Sequence, residues 1–245
     1  MIHIAETLSI RTVEDFLTPP ETERLSHIMG KALGPHGQDR YDAARRTTIH
    51  AIPGHSPAQA REVYEPAGRV EMTDIPREAT ALLDQALKHH MATITRTLPS
   101  VTGHRPWTYL EYGPGQHITP HADGIAPDPL DRPRQIAAAT VTLTDTHTAG
   151  GAFYVETTGA ETLWTDQEAP VGTGYAPGMR FAHDGADMSS PWFRTMPRTR
   201  WSVSPTPGTL VLFGSQLVHG TEPVRIGRIR KFLTLLLSEQ EAPPP

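Results

Sequence analysis

Three side chains set the chemistry that this sequence can offer. His121 and Asp123 close the segment YGPGQHITPHAD (112–123), and His219 follows the apolar run PGTLVLF (207–213). In an extended strand, residues two apart point to the same side, so His121 and Asp123 can present an imidazole and a carboxylate to one ion. A lone His-x-Asp is weak evidence, and a single histidine is more often a hydrogen-bonded or surface residue than a ligand. The distal His219 strengthens the pattern. Two neutral imidazoles and one carboxylate leave about three positions open on a six-coordinate metal, which suits iron(II) with a bidentate cosubstrate and dioxygen better than zinc hydrolysis.

Composition excludes several other chemistries. The 245 residues contain no cysteine, so disulfides, thiolate nucleophiles and Cys-ligated zinc or iron–sulfur sites are ruled out. Any metal must be held by His and carboxylates. The net charge of −5 and the absence of a long Lys/Arg run argue against nucleic acid as a partner. The N-terminus MIHIAETLSIRTVEDF carries no basic segment followed by an apolar core, and no apolar stretch is long enough to span a bilayer. A cytoplasmic protein with no membrane partner is expected.

The elements that must position the ligands come in two textures. Residues 18–34 predict a helix, with Thr18 as cap, prolines at its start and Gly34 at its end. Pro76 to Leu98 predicts a longer one, from Ala79, Leu82, Leu83, Ala86, Met91 and Ile94 near helical spacing. Residues 35–75 show little periodicity. From about Arg105 the pattern changes to short strands: 107–112, 136–144, 152–157, 200–204, 209–213 and 229–237. The expectation is a mainly β protein with supporting helices, a jelly-roll or cupin-like core at 105–240 and a helical and loop region at 1–104 packed on it, one domain overall. The tail EAPPP is expected to fray.

The chain resembles the iron(II)- and 2-oxoglutarate-dependent dioxygenases, in particular their prolyl-hydroxylase-like branch. The resemblance spans roughly Trp107 to Leu237. It rests on Tyr112-Gly113-x-Gly115, Pro120-His121-x-Asp123, the Gly150-Gly151 pair, Pro207-x-Thr209-Leu210-Val211-Leu212-Phe213, and His219-x3-Pro223-Val224-x2-Gly227-Arg228. It implies a double-stranded β-helix with His121, Asp123 and His219 as catalytic metal ligands, Fe(II) as cofactor, 2-oxoglutarate and O2 as cosubstrates, and ascorbate as a reductant. It also implies a basic residue after the distal histidine that pairs with the far carboxylate of 2-oxoglutarate. Arg228 is the first candidate and Arg230, on the same face of a regular strand, the fallback. Tyr112 either donates to the cosubstrate or packs. Thr140 and Thr142 lie where a second cosubstrate contact is expected, and Thr142 is carried with Thr140 as its alternative.

The implied reaction is hydroxylation of an unactivated C–H bond, with succinate and CO2 as co-products. Asp123 disfavours halogenation, because halogenating relatives lack that carboxylate, whereas desaturation, ring formation and epoxidation use the same metal site and stay open as alternatives. An insertion at about 156–200 contains Trp192 and Arg194, read as candidate substrate contacts on a lid. A small metabolite, such as an amino acid or natural-product intermediate, is the expected substrate. A prolyl or other residue of a protein, and a cupin-like metal-binding module without turnover, are the alternatives. Gly150 and Gly151 are read as a turn, Gly113 and Gly115 as a loop, and the Asp145/His147 pair as solvated loop.

Overall fold

The structure, a computed structural model, describes residues 1–37, 40–41, 48–124, 132–143 and 148–239. Asp145, His147 and the EAPPP tail lie outside these. Two antiparallel sheets face each other. The major sheet has seven strands: β1 (Ile10–Val13), β12 (Leu210–Gly214), β6 (Arg134–Thr142), β15 (Ile229–Ser238), β4 (Thr108–Tyr112) and β2 (Val70–Met72) in that order, with β3 (Gly103–His104) also pairing β15. The minor sheet runs β11 (Thr199–Val203), β8 (Phe153–Thr157), β13 (Val218–Thr221), β5 (Ile118–His121). Two short ribbons complete the strands, β7 (Ala149–Gly150) with β14 (Val224–Ile226), and β9 (Trp164–Glu168) with β10 (Arg180–Ala182). This is a double-stranded β-helix, and each of the six strands expected from sequence is present.

Period-two alternation assigns every strand of the major sheet one face toward the helices and one toward the minor sheet. Ala137, Ala139, Val141, Leu210, Leu212, Phe232 and Leu236 face outward. They pack on Leu25 and Met29 of α2 (Pro19–Leu33) and on Ala79, Leu83, Leu87 and Ile94 of α4 (Arg77–Thr97). Ala138, Val211 and Phe213 face inward and meet Phe153, Val155 and Leu217 between the sheets. Burying a side chain of this size is worth roughly 1.5–3 kcal/mol, so the two apolar layers fix the register of the strands. Helix α2 starts as its sequence predicts, with the Glu21 carboxylate accepting from the backbone N–H of Thr18 at 2.8 Å and two prolines opening the first turn.

The N-terminal region contributes more than the sequence reading gave it. Besides α1 (Ile4–Leu8) and α3 (Pro57–Tyr64), it supplies β1 and β2, the two edges of the major sheet. The insertion at 156–200 is likewise folded. It holds the β9–β10 ribbon and α5 (Pro191–Thr195), and it packs on Val218 through Leu163, Ala186, Phe193 and Met196.

Candidate metal and cosubstrate site

β5 and β13 are hydrogen-bonded neighbours, and their register sets His121 directly opposite His219. The two rings lie 4.4 Å apart between centroids. Asp123 follows β5 by two residues, in a stretch pinned on both sides: the Ala122 N–H donates to the Ala186 carbonyl and the Gly124 N–H to the Ser215 carbonyl, each at 2.9 Å. Its Oδ1 stands 3.3 Å from His121 Nε2 and 3.8 Å from His219 Nε2. The structure therefore brings together the three residues that the sequence singled out.

Each ring is oriented by the chain itself. His121 Nδ1 is 2.9 Å from the Thr119 carbonyl, and His219 Nδ1 is 2.9 Å from the Leu217 carbonyl. A carbonyl only accepts, so Nδ1 carries the proton and Nε2 keeps its lone pair. Both lone pairs point toward Asp123. His121 Nε2 is buried and has no hydrogen-bond partner, a costly arrangement unless a metal takes the lone pair. Burial, with help from the neighbouring His121, pulls the pKa of His219 down to about 4, so it is neutral and able to ligate at physiological pH. Burial opposes the charge on Asp123, and the hydrogen bond that Gln135 donates favours it. A donor set of two neutral imidazoles and one carboxylate fits ferrous iron.

Gln135 was not expected here. Its Nε2 donates to Asp123 Oδ2 at 2.9 Å, which leaves Oδ1 turned to the imidazoles. Simple alternation would place Gln135 on the helix side with Ala137 and Ala139. The pairing of β15 with β6 skips Ile136 between Leu236↔Ala137 and Leu237↔Gln135, and this bulge re-aims the side chain inward. His50 was also missed. It offers a ligand atom within 4.8 Å of those of His121 and Asp123, and its ring meets His121 edge-on at 4.8 Å.

A cavity of about 150 Å³ opens beside the three ligands, lined among others by His50, Tyr64, Arg69, Tyr112, Thr140, Phe213 and Lys231. Arg228 and Arg230 do not line it. Both pair with Glu111, Arg228 at 2.8 Å and Arg230 at 3.5 Å, and they border a separate surface groove beside α2. The reason is strand parity. On β15 the inward positions are Ile229, Lys231, Leu233 and Leu235, whereas Arg230 shares the outward face of Phe232. The inward basic residue is Lys231, twelve positions after His219. Its ammonium donates to Thr221 Oγ1 at 2.9 Å and lies 4.9 Å from the centre of the Tyr112 ring.

Tyr112 lines the cavity, and its hydroxyl accepts from Arg69 at 2.7 Å. Arg69 is itself buried with Glu65 and Glu71, 3.3 and 2.6 Å away. Thr140 reaches the cavity, while Thr142 borders an adjoining one that shares Thr140, Phe153 and Lys231 with it. Trp192 and Arg194 are not brought to the metal ligands. Trp192 packs edge-on against Phe193 within the insertion, and Arg194 donates to the Ser189 carbonyl on the exposed side of α5. The insertion reaches the site elsewhere, through Asp187, which accepts from the buried Tyr64 hydroxyl at 2.9 Å. The Tyr64 ring stands 4.9 Å from that of His121.

Two glycines hold this geometry. A Cβ on Gly220, next to His219, would meet the Tyr154 hydroxyl at 2.3 Å and the Ile118 carbonyl at 2.7 Å. Gly220→Ala is expected to cost about 1–3 kcal/mol of stability by overpacking and to weaken ferrous binding by moving His219, which a melting curve with and without metal would register together. Gly150, at φ +77°, would drive a Cβ to 2.4 Å from the Pro223 carbonyl. The Gly-Gly pair is therefore a close crossing of β7 and β14 as well as a turn.

A double-stranded β-helix that presents two histidines and an aspartate to one point beside a cavity with a buried cation defines a class, the non-haem iron oxygenases that use a 2-oxo acid. The family model for the 2OG-Fe(II) oxygenase superfamily matches residues 107–237, and the chain belongs to that family. Its members use Fe(II), 2-oxoglutarate and O2, so the protein is a 2-oxoglutarate-dependent dioxygenase. No curated protein sequence matches the chain. Among solved structures, the viral collagen prolyl hydroxylase of Paramecium Bursaria Chlorella virus-1, in its 2OG complex, is 13% identical with a TM-score of 0.53, covering 97% of this chain and 99% of that one. AviO1 from Streptomyces viridochromogenes Tue57 is 16% identical, with a TM-score of 0.54 over 98% and 94% of the two chains. SnoK, a non-heme alpha ketoglutarate dependent carbocyclase from nogalamycin biosynthesis, is 16% identical, with a TM-score of 0.55 over 95% and 80%. At these identities the likeness is one of fold. Among the described residues no helix is long and apolar enough to cross a membrane.

Proposed function

We propose that the protein hydroxylates an unactivated C–H bond of a small metabolite, with His121, Asp123 and His219 as the iron ligands and Lys231 as the anchor for the far carboxylate of 2-oxoglutarate. Bound iron, 2-oxoglutarate and dioxygen supply the oxidising chemistry, with succinate and CO2 as co-products. The chain's own part is placement. Thr119 and Leu217 hold the imidazoles in the ligating tautomer, and Gln135 turns Asp123. Lys231 lines the cavity with the Tyr112 ring beside it, and the other basic residue there, Arg69, is paired with Glu65 and Glu71. A cosubstrate fixed at both ends is held in one orientation before the substrate arrives.

The observation that carries the small-molecule reading is the Tyr64–Asp187 hydrogen bond. It joins α3 to the insertion beside His121, where Tyr64 lines the cavity, and we read that tie as narrowing the approach to the proposed ligands. A peptide laid across an open groove needs that approach clear. The prolyl hydroxylases among the structural neighbours keep the peptide alternative in the test. The experiment is succinate release. Purified protein with ferrous iron, ascorbate and 2-oxoglutarate is expected to release succinate slowly, faster with the right metabolite pool, and His121→Ala is expected to abolish both rates. Stimulation by proline-containing peptides but by no metabolite pool would overturn the substrate class. No release under any condition would leave a metal-binding module.

A further inference from the structure

Lys231 is bordered by a cavity on each side. The one beside the proposed ligands reaches it from the metal end, and a second, of about 230 Å³, shares Thr140, Phe153 and Lys231 with the first. Strand β15 shows how the two are arranged. Of its inward residues, Leu233 and Leu235 line the first cavity and Ile229 the second, so Lys231 stands between them as a partition. The other two shared residues are fixed in place: the Phe153 ring packs on Phe213 at 4.9 Å, and the Thr140 hydroxyl donates to the Phe232 carbonyl at 3.0 Å. Lys231 is the movable part. Its ammonium ends a flexible four-carbon stem and gives one proton to Thr221, which leaves others for a ligand. The second cavity suits an anion, since Thr142, Ser204 and Thr206 bring hydroxyls to it and, among the described residues, no acidic side chain lines it.

We infer that the cosubstrate site is open behind its anchor, and that the protein uses 2-oxo dicarboxylic acids one methylene longer than 2-oxoglutarate about as well as 2-oxoglutarate, with Lys231 stepping back toward Thr142 to receive the far carboxylate. This rests on the iron and 2-oxoglutarate reading above. In a site closed behind its anchor, an added methylene overpacks the pocket and weakens binding by about 5- to 150-fold. Here the space behind Lys231 is far larger than one methylene needs. Thr142 lies directly opposite Lys231 in the pairing of β6 with β15, so the two side chains share a face and the size of residue 142 limits how far the amine can retreat. The stoichiometry is unchanged. 2-Oxoadipate would lose its C1 carboxyl as CO2 and leave as glutarate carrying one atom of dioxygen, while the other atom enters the C–H bond of the organic substrate.

The test is an anaerobic titration of the Fe(II)-loaded protein with 2-oxoglutarate and with 2-oxoadipate, followed by the charge-transfer band of the chelated 2-oxo acid. Wild type is expected to bind the two acids within about fivefold of one another. Weaker binding of 2-oxoadipate than that would overturn the inference and leave the 2-oxoglutarate reading standing. Thr142→Leu, which adds bulk behind the amine, is expected to weaken 2-oxoadipate about tenfold more than it weakens 2-oxoglutarate. An equal effect on both acids would show that the second cavity does not receive the longer one, and would also overturn the inference. Should the variant lack the 2-oxoglutarate band, turnover of wild type decides: glutarate released from 2-oxoadipate at a rate within about fivefold of succinate from 2-oxoglutarate supports the inference, and slower release sinks it. A wild type that shows no band with 2-oxoglutarate would end that reading, and the inference with it.

Discussion

Replacing Lys231 with Met is expected to raise the 2-oxoglutarate concentration needed for half-saturation by about 10- to 150-fold, the equivalent of about 1.5–3 kcal/mol for a hydrogen bond to a charged group. Arg228→Ala should leave it nearly unchanged, because that guanidinium is committed to Glu111 outside the cavity. An anaerobic titration of the charge-transfer band measures both. The opposite pattern would return the anchor to Arg228. Lys231 also predicts a pH dependence. Burial first, and the neighbouring Arg69 second, pull its pKa down to about 7. Below that pH the amine is already an ammonium ion and binding takes up no proton. Above it, the far carboxylate must draw a proton onto Lys231, so affinity should fall about tenfold per pH unit until the raised pKa of the complex is passed. Lys231→Arg should abolish the slope, since a guanidinium stays charged throughout.

The proposal of Lys231 in place of Arg228 as the anchor shows which kind of information the sequence carries. Residue type and two-residue spacing suffice for His121 and Asp123, because the rule relating them is local. The basic residue depends on which face of β15 looks inward, and that is set by pairing with β4 and β6, where Lys231 lies opposite Leu110 and Thr142. Ile229, between the two arginine candidates, does face inward but is apolar. The next inward position is two residues on. Gln135 was harder still, because the bulge that turns it toward Asp123 leaves no mark in a run of apolar and small residues.

The N-terminal third illustrates the other limit. Its two long helices were legible from apolar spacing and from the Thr18 and proline start. Strands β1 and β2 were not, since an edge strand of three or four residues is too short to show alternation and is stabilised by its partners. His50, Tyr64 and Arg69 come from the same stretch. They stand beside a buried ionic cluster, Glu65–Arg69–Glu71, which Arg69 joins to Tyr112, 43 positions further along the chain. In the insertion the aromatic residues looked like a lid, yet Trp192 and Phe193 pack on each other, and the contacts beside the proposed ligands are made by Ala186 and Asp187. Aromatic content there coincides with packing inside the insertion.

The second large effect concerns the carboxylate ligand. Asp123→Asn preserves shape, and an amide oxygen can still accept from Gln135, so the metal-free protein should melt within about 1 kcal/mol of wild type. The metal-loaded proteins should differ sharply. An ion that binds only the folded state stabilises it by RT ln(1 + [L]/Kd), about 4 kcal/mol when the ion is present at a thousandfold its Kd. Asp123 supplies the only negative charge among the three proposed ligands, and it already spans both imidazoles, at 3.3 and 3.8 Å. Its loss leaves a dication facing two neutral nitrogens and an amide, and should weaken ferrous binding by about a hundredfold or more, removing most of that increment. The measurement is the anaerobic melting temperature with and without Fe(II). A ferrous shift equal to that of wild type would mean that Asp123 is not a ligand.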